Sequence, residues 1–305
     1  MKLRARILVA LAIGGLAVTA SAASTAVRDW PESLSGSLQR IKSAGVVRLG
    51  YRENAIPFSY VGPDNQPVGY SLDLCRAIVE AMAEAIDARA LRIQYVRVTA
   101  QDRVARVVDG TIDFECGSTS STAERRAQVA FSPVIFVTGT RLAVPRASGV
   151  RSVNDLRGRA VAVVRGTTNE ATMHEVDRLR GLAIQFVAAD DYREAIALPG
   201  AGKADALAAD DVLLRGILAE TGRTGEFRLV GEMLSFEPYG IMYARGDPRL
   251  AEVVEGALRA LAESREFVWL YNRWFVQPLP SGQRLDLPMS DQLRRSLELI
   301  GLPAD

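Results

Sequence analysis

Short apolar runs alternate with stretches in which apolar side chains recur every three or four positions, a pattern that predicts strands followed by core-facing helices on a largely parallel sheet. Val46 to Leu49 is the first expected strand. From Ser71 to Ile86, the residues Leu74, Ile78, Met82 and Ile86 fall at four-residue spacing, with Ser71 expected as the N-cap. Leu91 to Val98 reads as a second strand, Thr99 and Asp102 open a helix that Gly110 closes, and Ile112 to Cys116 reads as a third strand. After an extended stretch from Val134 to Val144 the alternation restarts. It runs through a short capped helix at Ser152 to Leu156, stopped by Gly158, and strands at Ala160 to Val164, Ile184 to Val187 and Asp205 to Ala209. Helices are expected to open at Gly166-Thr167-Thr168 and to run from Asp211 to Glu220. A last extended piece, Tyr239 to Ala244, precedes a helical region with Trp269 and Trp274 whose apolar face needs a sheet to cover it. Returning that region to the first unit makes two α/β lobes with two crossings. Residues 23–138 and 241–305 form the first lobe, and 139–240 the second with the crossings, an arrangement that makes a hinge with a cleft.

Length agrees with two lobes, since 305 residues exceed one ordinary core. The 48% apolar and 24% charged content is that of a globular chain, and a net charge of +1 gives no reason to expect a nucleic acid partner. Scarcity narrows the chemistry further: the sequence has one histidine (His174) and two cysteines (Cys75, Cys116). A zinc site of the usual kind therefore lacks ligands, no Gly-Lys-Ser/Thr motif forms a phosphate loop, and no G-x-S-x-G elbow accompanies His174. No metal, cofactor or catalytic residue is expected.

Residues 1–22 have the form of a secretory signal: Lys2, Arg4 and Arg6, then a mostly apolar stretch from Ile7 to Val18, then the small residues Ala20-Ser21-Ala22. The apolar stretch is shorter than the ~20 residues of a membrane span. Cleavage after Ala22 removes three cationic side chains and takes the charge from +1 to −2. Export leaves two readings of the cysteines: a Cys75–Cys116 bond closing a loop of about 40 residues, or two buried thiols.

Ligands in α/β proteins sit beyond the carboxyl ends of parallel strands. Three short polar loops occupy such places: Tyr51-Arg52-Glu53, Gly117 to Thr122 with Arg125 one turn on, and Gly166 to Asn169. The last two offer backbone N–H groups and hydroxyls to an anion. Arg52, Arg103 and Arg125 stand out for lying at or just after strand ends, where a guanidinium fork can hold a carboxylate bidentately. Of Asp210 and Asp211, one is expected to cap the following helix and the other to be free for an ammonium group.

Together these residues resemble the family 3 solute-binding proteins of amino-acid ABC transporters. The resemblance rests on Gly50-Tyr51-Arg52-Glu53, Pro57-Phe58-Ser59-Tyr60, Gly69 to Leu74, Gly166-Thr167-Thr168, Asp210-Asp211, Tyr239-Gly240 and Trp269 to Pro278. Thr99 to Arg103, Gly110 to Thr119 and Phe136 to Leu142 are similar to the glutamate/aspartate-binding branch. The resemblance implies a type II periplasmic binding protein-like fold. It also implies an exported, periplasmic monomer that closes on an acidic amino acid and hands it to an inner-membrane permease. By position, Ser118, Ser120, Arg125 and Thr168 would hold the α-carboxylate and Asp210 the α-ammonium. Arg52 and Arg103 would clamp the side-chain carboxylate. Ala100 replaces a serine and Tyr192 a histidine of acidic-ligand relatives, and both changes fall in the distal pocket. An inventory of three arginines and one carboxylate favours a ligand with two carboxylates and one ammonium, because an unpaired buried guanidinium costs several kcal/mol. A broader receptor accepting glutamine or asparagine is one alternative. A cyclohexadienyl dehydratase on the same scaffold is the other, with Glu53 and Glu115 as its only unassigned acid/base candidates.

Overall fold

A computed structural model describes residues 36–303; the expected signal segment and its cleavage site lie outside them. Two five-stranded sheets of the same plan organise the chain. In the first, Arg92–Arg97, Val46–Tyr51 and Phe114–Glu115 are parallel neighbours, and Met242–Tyr243 then runs antiparallel between Phe114–Glu115 and Ala130–Phe131. In the second, Gln185–Ala189, Ala160–Val164 and Ala206–Asp210 are parallel, and Thr140–Pro145 runs antiparallel between Ala206–Asp210 and Phe227–Val230. The antiparallel strand of each sheet follows directly on one strand of a short ribbon, Phe136–Thr138 paired with Glu237–Tyr239. The ribbon sits on an aromatic cluster in which Phe58 contacts Phe136 and Tyr239 at centroid distances of 5.0 and 5.1 Å, and Phe136 stacks on Phe275 at 4.8 Å.

The alternation predicted from sequence is present, with instructive differences at element ends. The helix Tyr70–Ala85 begins after Gly69, not Ser71. Gly69 adopts φ 141°, and a Cβ there would lie 2.2 Å from the Phe58 carbonyl oxygen, so this start requires glycine. Ser71 is already helical, and its hydroxyl donates to the Gly117 carbonyl at 2.8 Å. Leu74, Ile78 and Met82 are buried as their spacing requires. The expected Thr99/Asp102 pair is reciprocal, Thr99 N–H to Asp102 at 2.7 Å and Asp102 N–H to Thr99 at 3.1 Å, although the helix itself runs Arg103–Val108. In the C-terminal region Glu266–Phe275 packs on the helices Tyr70–Ala85 and Pro248–Glu263, helix on helix where a sheet is the expected cover. Trp274 is buried there and donates to Asp73 at 2.7 Å, whereas Trp269 faces solvent. The helices Gly36–Ala44, Tyr192–Gly200 and Asp291–Glu298 and the small antiparallel sheet Asn54–Ala55, Ser59–Val61, Pro67–Val68 were not anticipated.

Cys75 and Cys116 are bonded, with Cα atoms 6.3 Å apart, and both are buried. The bond ties the helix Tyr70–Ala85 to the loop that starts at Gly117. Replacing both cysteines by alanine is expected to lower stability by about 4 kcal/mol for a loop of 41 residues, seen as a melting-temperature drop of about 10 °C in calorimetry under non-reducing conditions. An unchanged melting temperature would show the bond to be energetically idle.

Candidate functional site

Every residue expected to bind ligand lies at the carboxyl end of a strand or at the start of the helix that follows it. Arg52 follows Val46–Tyr51, Ser118 and Ser120 follow Phe114–Glu115, Asp210 ends Ala206–Asp210, and Arg103, Thr168 and Tyr192 open their helices. Arg125 lies in the short helix Ala123–Arg126, capped by the Thr122 hydroxyl. The fold brings these groups from both sheets together. Ser120 Oγ is 3.4 Å from Thr168 Oγ1, and Arg125 donates to the Ser120 carbonyl at 3.0 Å and to the Gly166 carbonyl at 3.4 Å. Gly166, at φ 73°, lies against the backbone of Ala100 and Gln101, where a Cβ would come within 3.0 Å. A cleft of about 1050 Å³ opens outward from this contact, lined among others by Gln101, Arg125, Thr168 and Glu237.

Three guanidinium groups gather here, and none forms an ion pair with a carboxylate among the described residues. Arg52 and Arg103 are each 2% exposed. Arg52 Nη1, Arg103 Nε and Ser118 Oγ are buried without a hydrogen-bond partner in the protein, a combination that is costly unless an acceptor meets them. Arg103 Nη1 reaches only the Ser118 carbonyl, at 3.4 Å. Arg52 lies 5.9 Å from the Tyr192 ring centroid, a cation–π contact. Burial and the charge of Arg103 lower Arg52, and the same two causes bring Arg125 down to about 10. Burial pushes the Tyr192 hydroxyl up to about 12, so it is neutral at physiological pH.

At the opposite end the chemistry is acidic. Asp210 occupies the N-cap position of the helix Asp211–Glu220, yet its side chain makes no capping bond. Asn169 donates to Asp210 Oδ1 at 2.9 Å, and the Tyr239 hydroxyl donates to Oδ2. Asp211 does not cap either: it pairs with Arg141 and Arg215. Desolvation and the nearby Glu237 raise Asp210 to about 7 against the opposing hydrogen bonds.

The inventory of three arginines and one carboxylate needs correcting. The same region buries Glu115, which accepts from Thr119 at 2.7 Å, and Glu237, which accepts from Ser235 at 2.7 Å. The unpaired groups are of both kinds, the donors Arg52 Nη1 and Arg103 Nε and the acceptor Glu115 Oε1, so a place for an anion is marked by where the donors lie and not by a surplus of positive charge. Glu237, Asn169 and Tyr239 as neighbours of Asp210 escape sequence reasoning because the pairing of Glu237–Tyr239 with Phe136–Thr138 joins residues about a hundred positions apart. Glu53 belongs elsewhere: it pairs with Arg97 at the surface. His174 is exposed, its ring 4.0 Å from that of Phe186.

The model of the bacterial extracellular solute-binding proteins, family 3, matches residues 47–277. The chain belongs to that family. Among its relatives, an L-glutamate/L-aspartate-binding protein of Pseudomonas aeruginosa is 37% identical over 276 residues, 90% of each chain. A glutamate/aspartate import solute-binding protein of Salmonella typhimurium is 32% identical over 90% of this chain and 91% of its own. Among solved structures, a mutant of ArgBP from T. maritima superposes with a TM-score of 0.71 at 27% identity, covering 79% of this chain and 99% of that one. The two sheet-bearing lobes of this chain are the fold of that family. Among the described residues no helix is long and apolar enough to cross a membrane, and no group of three metal-ligating side chains occurs.

Proposed function

We propose that this protein is the periplasmic receptor of an ABC importer. It captures glutamate or aspartate as its two lobes close, and delivers the amino acid to an inner-membrane permease as a monomer cleaved near Ala22. The ribbon Phe136–Thr138 with Glu237–Tyr239 is the hinge, and the lobes divide at residues 139 and 240. The observation that carries the reading is the set of buried, unpartnered donors, Arg52 Nη1, Arg103 Nε and Ser118 Oγ, in one water-poor site. Such donors select a ligand that brings acceptors. Arg125 with Ser118, Ser120 and Thr168 takes the α-carboxylate, Asp210 the α-ammonium, and Arg52 with Arg103 the side-chain carboxylate. Tyr192 walls the distal pocket beside Arg52. Two relatives named for glutamate and aspartate support the choice of ligand.

Isothermal titration against the twenty amino acids tests this. Glutamate and aspartate are expected to bind at least tenfold more tightly than glutamine and asparagine, and tight binding of a basic or apolar amino acid alone would refute the assignment. Arg103→Ala should shrink the preference for glutamate over glutamine by about 10- to 100-fold, the effect of one charge-assisted contact of ~1.5–3 kcal/mol. Equal losses for both ligands would place Arg103 outside the distal pocket. Of the acid/base candidates of the dehydratase alternative, Glu53 is a surface partner of Arg97, while Glu115 is buried and accepts from Thr119.

A further inference from the structure

Glu237 is 3% exposed, stands on the ribbon, lines the cleft beside Arg125 and Thr168, and has no part in the assignment above. It is linked to Asp210 by an unbroken chain of hydrogen bonds. Ser235 Oγ donates to Glu237 Oε1 at 2.7 Å and lies 2.8 Å from Thr140 Oγ1. Thr140 Oγ1 accepts from Asn169 Nδ2 at 2.8 Å, and the same amide nitrogen reaches Asp210 Oδ1 at 2.9 Å. Ser235 Oγ also accepts from the Thr140 amide at 3.1 Å, which fixes the chain to the start of the strand that leaves the ribbon. Asp210 Oδ2 is held in turn by Tyr239, two residues from Glu237. Two buried carboxylates thus share one scaffold between the ribbon and the second sheet.

Resting on the reading of Asp210 as the ammonium-binding group, we propose that Glu237 is a second carboxylate of the ammonium pocket and that the pair makes capture of the amino acid proton-linked. Two like charges in a water-poor site are stable together only when a cation lies near or one carboxyl is protonated. The ligand ammonium supplies that cation and displaces the proton. The groups facing Asp210 are Asn169 and Tyr239 as donors, Glu237 as the repelling charge, Tyr192 from the helix that follows Gln185–Ala189 of the same sheet, and Arg103 across the cleft. Arg125 lies within electrostatic range of Glu237. Asp211 on the adjoining helix is neutralised by Arg141 and Arg215. The free protein holds Asp210 at about 7 and the bound ammonium favours its carboxylate, so binding releases a proton below that pH. Affinity is therefore highest above pH 7 and falls as pH drops, by up to about tenfold per unit.

The test is the pH profile of glutamate affinity from pH 8 to 5.5, above the range in which the ligand's own side chain titrates, for the wild-type protein and for Glu237→Gln. The substitution keeps an oxygen for the Ser235 hydroxyl and removes the charge. Wild-type affinity should fall about 30-fold over this range. Glu237→Gln should bind about 3- to 10-fold more weakly at pH 8, through loss of attraction for the ammonium, yet fall less than about fivefold to pH 5.5, because Asp210 then titrates lower. Glu237→Asp should restore the steep profile. A Glu237→Gln profile parallel to wild type would overturn the inference while leaving the amino-acid reading intact. Absence of any glutamate or aspartate binding by the wild-type protein at pH 8 would overturn both. Independently of any variant, titration of the wild-type protein at pH 6 in two buffers of different ionisation enthalpy should reveal release of close to one proton per glutamate bound, and release of none would refute the linkage.

Discussion

Arg125→Ala is expected to raise the Kd for every amino acid by about 100- to 1000-fold, with little change in the melting temperature of the free protein. The magnitude follows from the cost of truncating one member of a desolvated charge pair, about 3–4 kcal/mol. Two losses combine. The fork that would take the α-carboxylate disappears, and with it the hydrogen bond to the Ser120 carbonyl and the one that reaches the Gly166 carbonyl across the cleft. Because the α-carboxylate is common to all amino acids, the loss should be the same for glutamate and glutamine, in contrast to Arg103→Ala. Arg125→Lys retains charge without the planar fork and should recover only part of the affinity. Near wild-type titration isotherms for Arg125→Ala would remove this residue from the site.

Gly216→Val is expected to weaken glutamate binding by about 5- to 150-fold without touching any ligand-binding group. Gly216 lies in the helix Asp211–Glu220, and a Cβ there would be 2.1 Å from the Ile56 carbonyl oxygen and 2.8 Å from its carbon. That helix packs on the segment around Asn54–Ala55, so the glycine permits the two parts of the molecule to meet backbone to side. Overpacking of this kind costs about 1–3 kcal/mol; on the proposed closure of the two lobes the penalty falls on the ligand-binding arrangement and subtracts from the affinity. Small-angle scattering should then show a radius of gyration that shrinks on adding glutamate to the wild-type protein and much less so with the valine variant. Equal compaction in both would show that the contact at Gly216 survives opening.

How much of this was legible beforehand varied with the range of the interactions involved. The helix Tyr70–Ala85 announces itself because burial on one face imposes a period, the strands Ala160–Val164 and Val46–Tyr51 because short apolar runs suit a sheet interior, and the helix Thr168–Arg180 through its Gly-Thr-Thr start. Residues at strand ends could likewise be nominated: Arg52, Ser118, Ser120, Asp210 and Thr168 follow apolar runs directly. Local chemistry misled where a capping hydroxyl had a long-range partner. Ser71 looks like an N-cap but serves the Gly117 carbonyl, and Gly69 begins the helix through its backbone freedom. Asp210 and Asp211 look like one cap and one spare carboxylate, yet Asp211 is taken by Arg141 and Arg215, and Asp210 is turned away from its helix by Asn169 and Tyr239. Trp269 and Trp274, five residues apart, fall on opposite faces of their helix, and only the second is buried.

Periodicity and strand-end position were enough, by themselves, to determine an α/β chain built on two sheets and to mark the polar loops at the strand ends as the place for a ligand. Those features are local in sequence, and the hydrophobic effect and backbone hydrogen bonding act on them alike in any context. The tertiary structure alone decided the charge balance of the site. Glu115 stands out in sequence only as an acid/base candidate and Glu237 not at all, and they become buried neighbours of the arginines and of Asp210 only when the ribbon pairs and the two sheets face each other. Electrostatic energy depends on distance and on exclusion of water, and neither is a property of position along the chain.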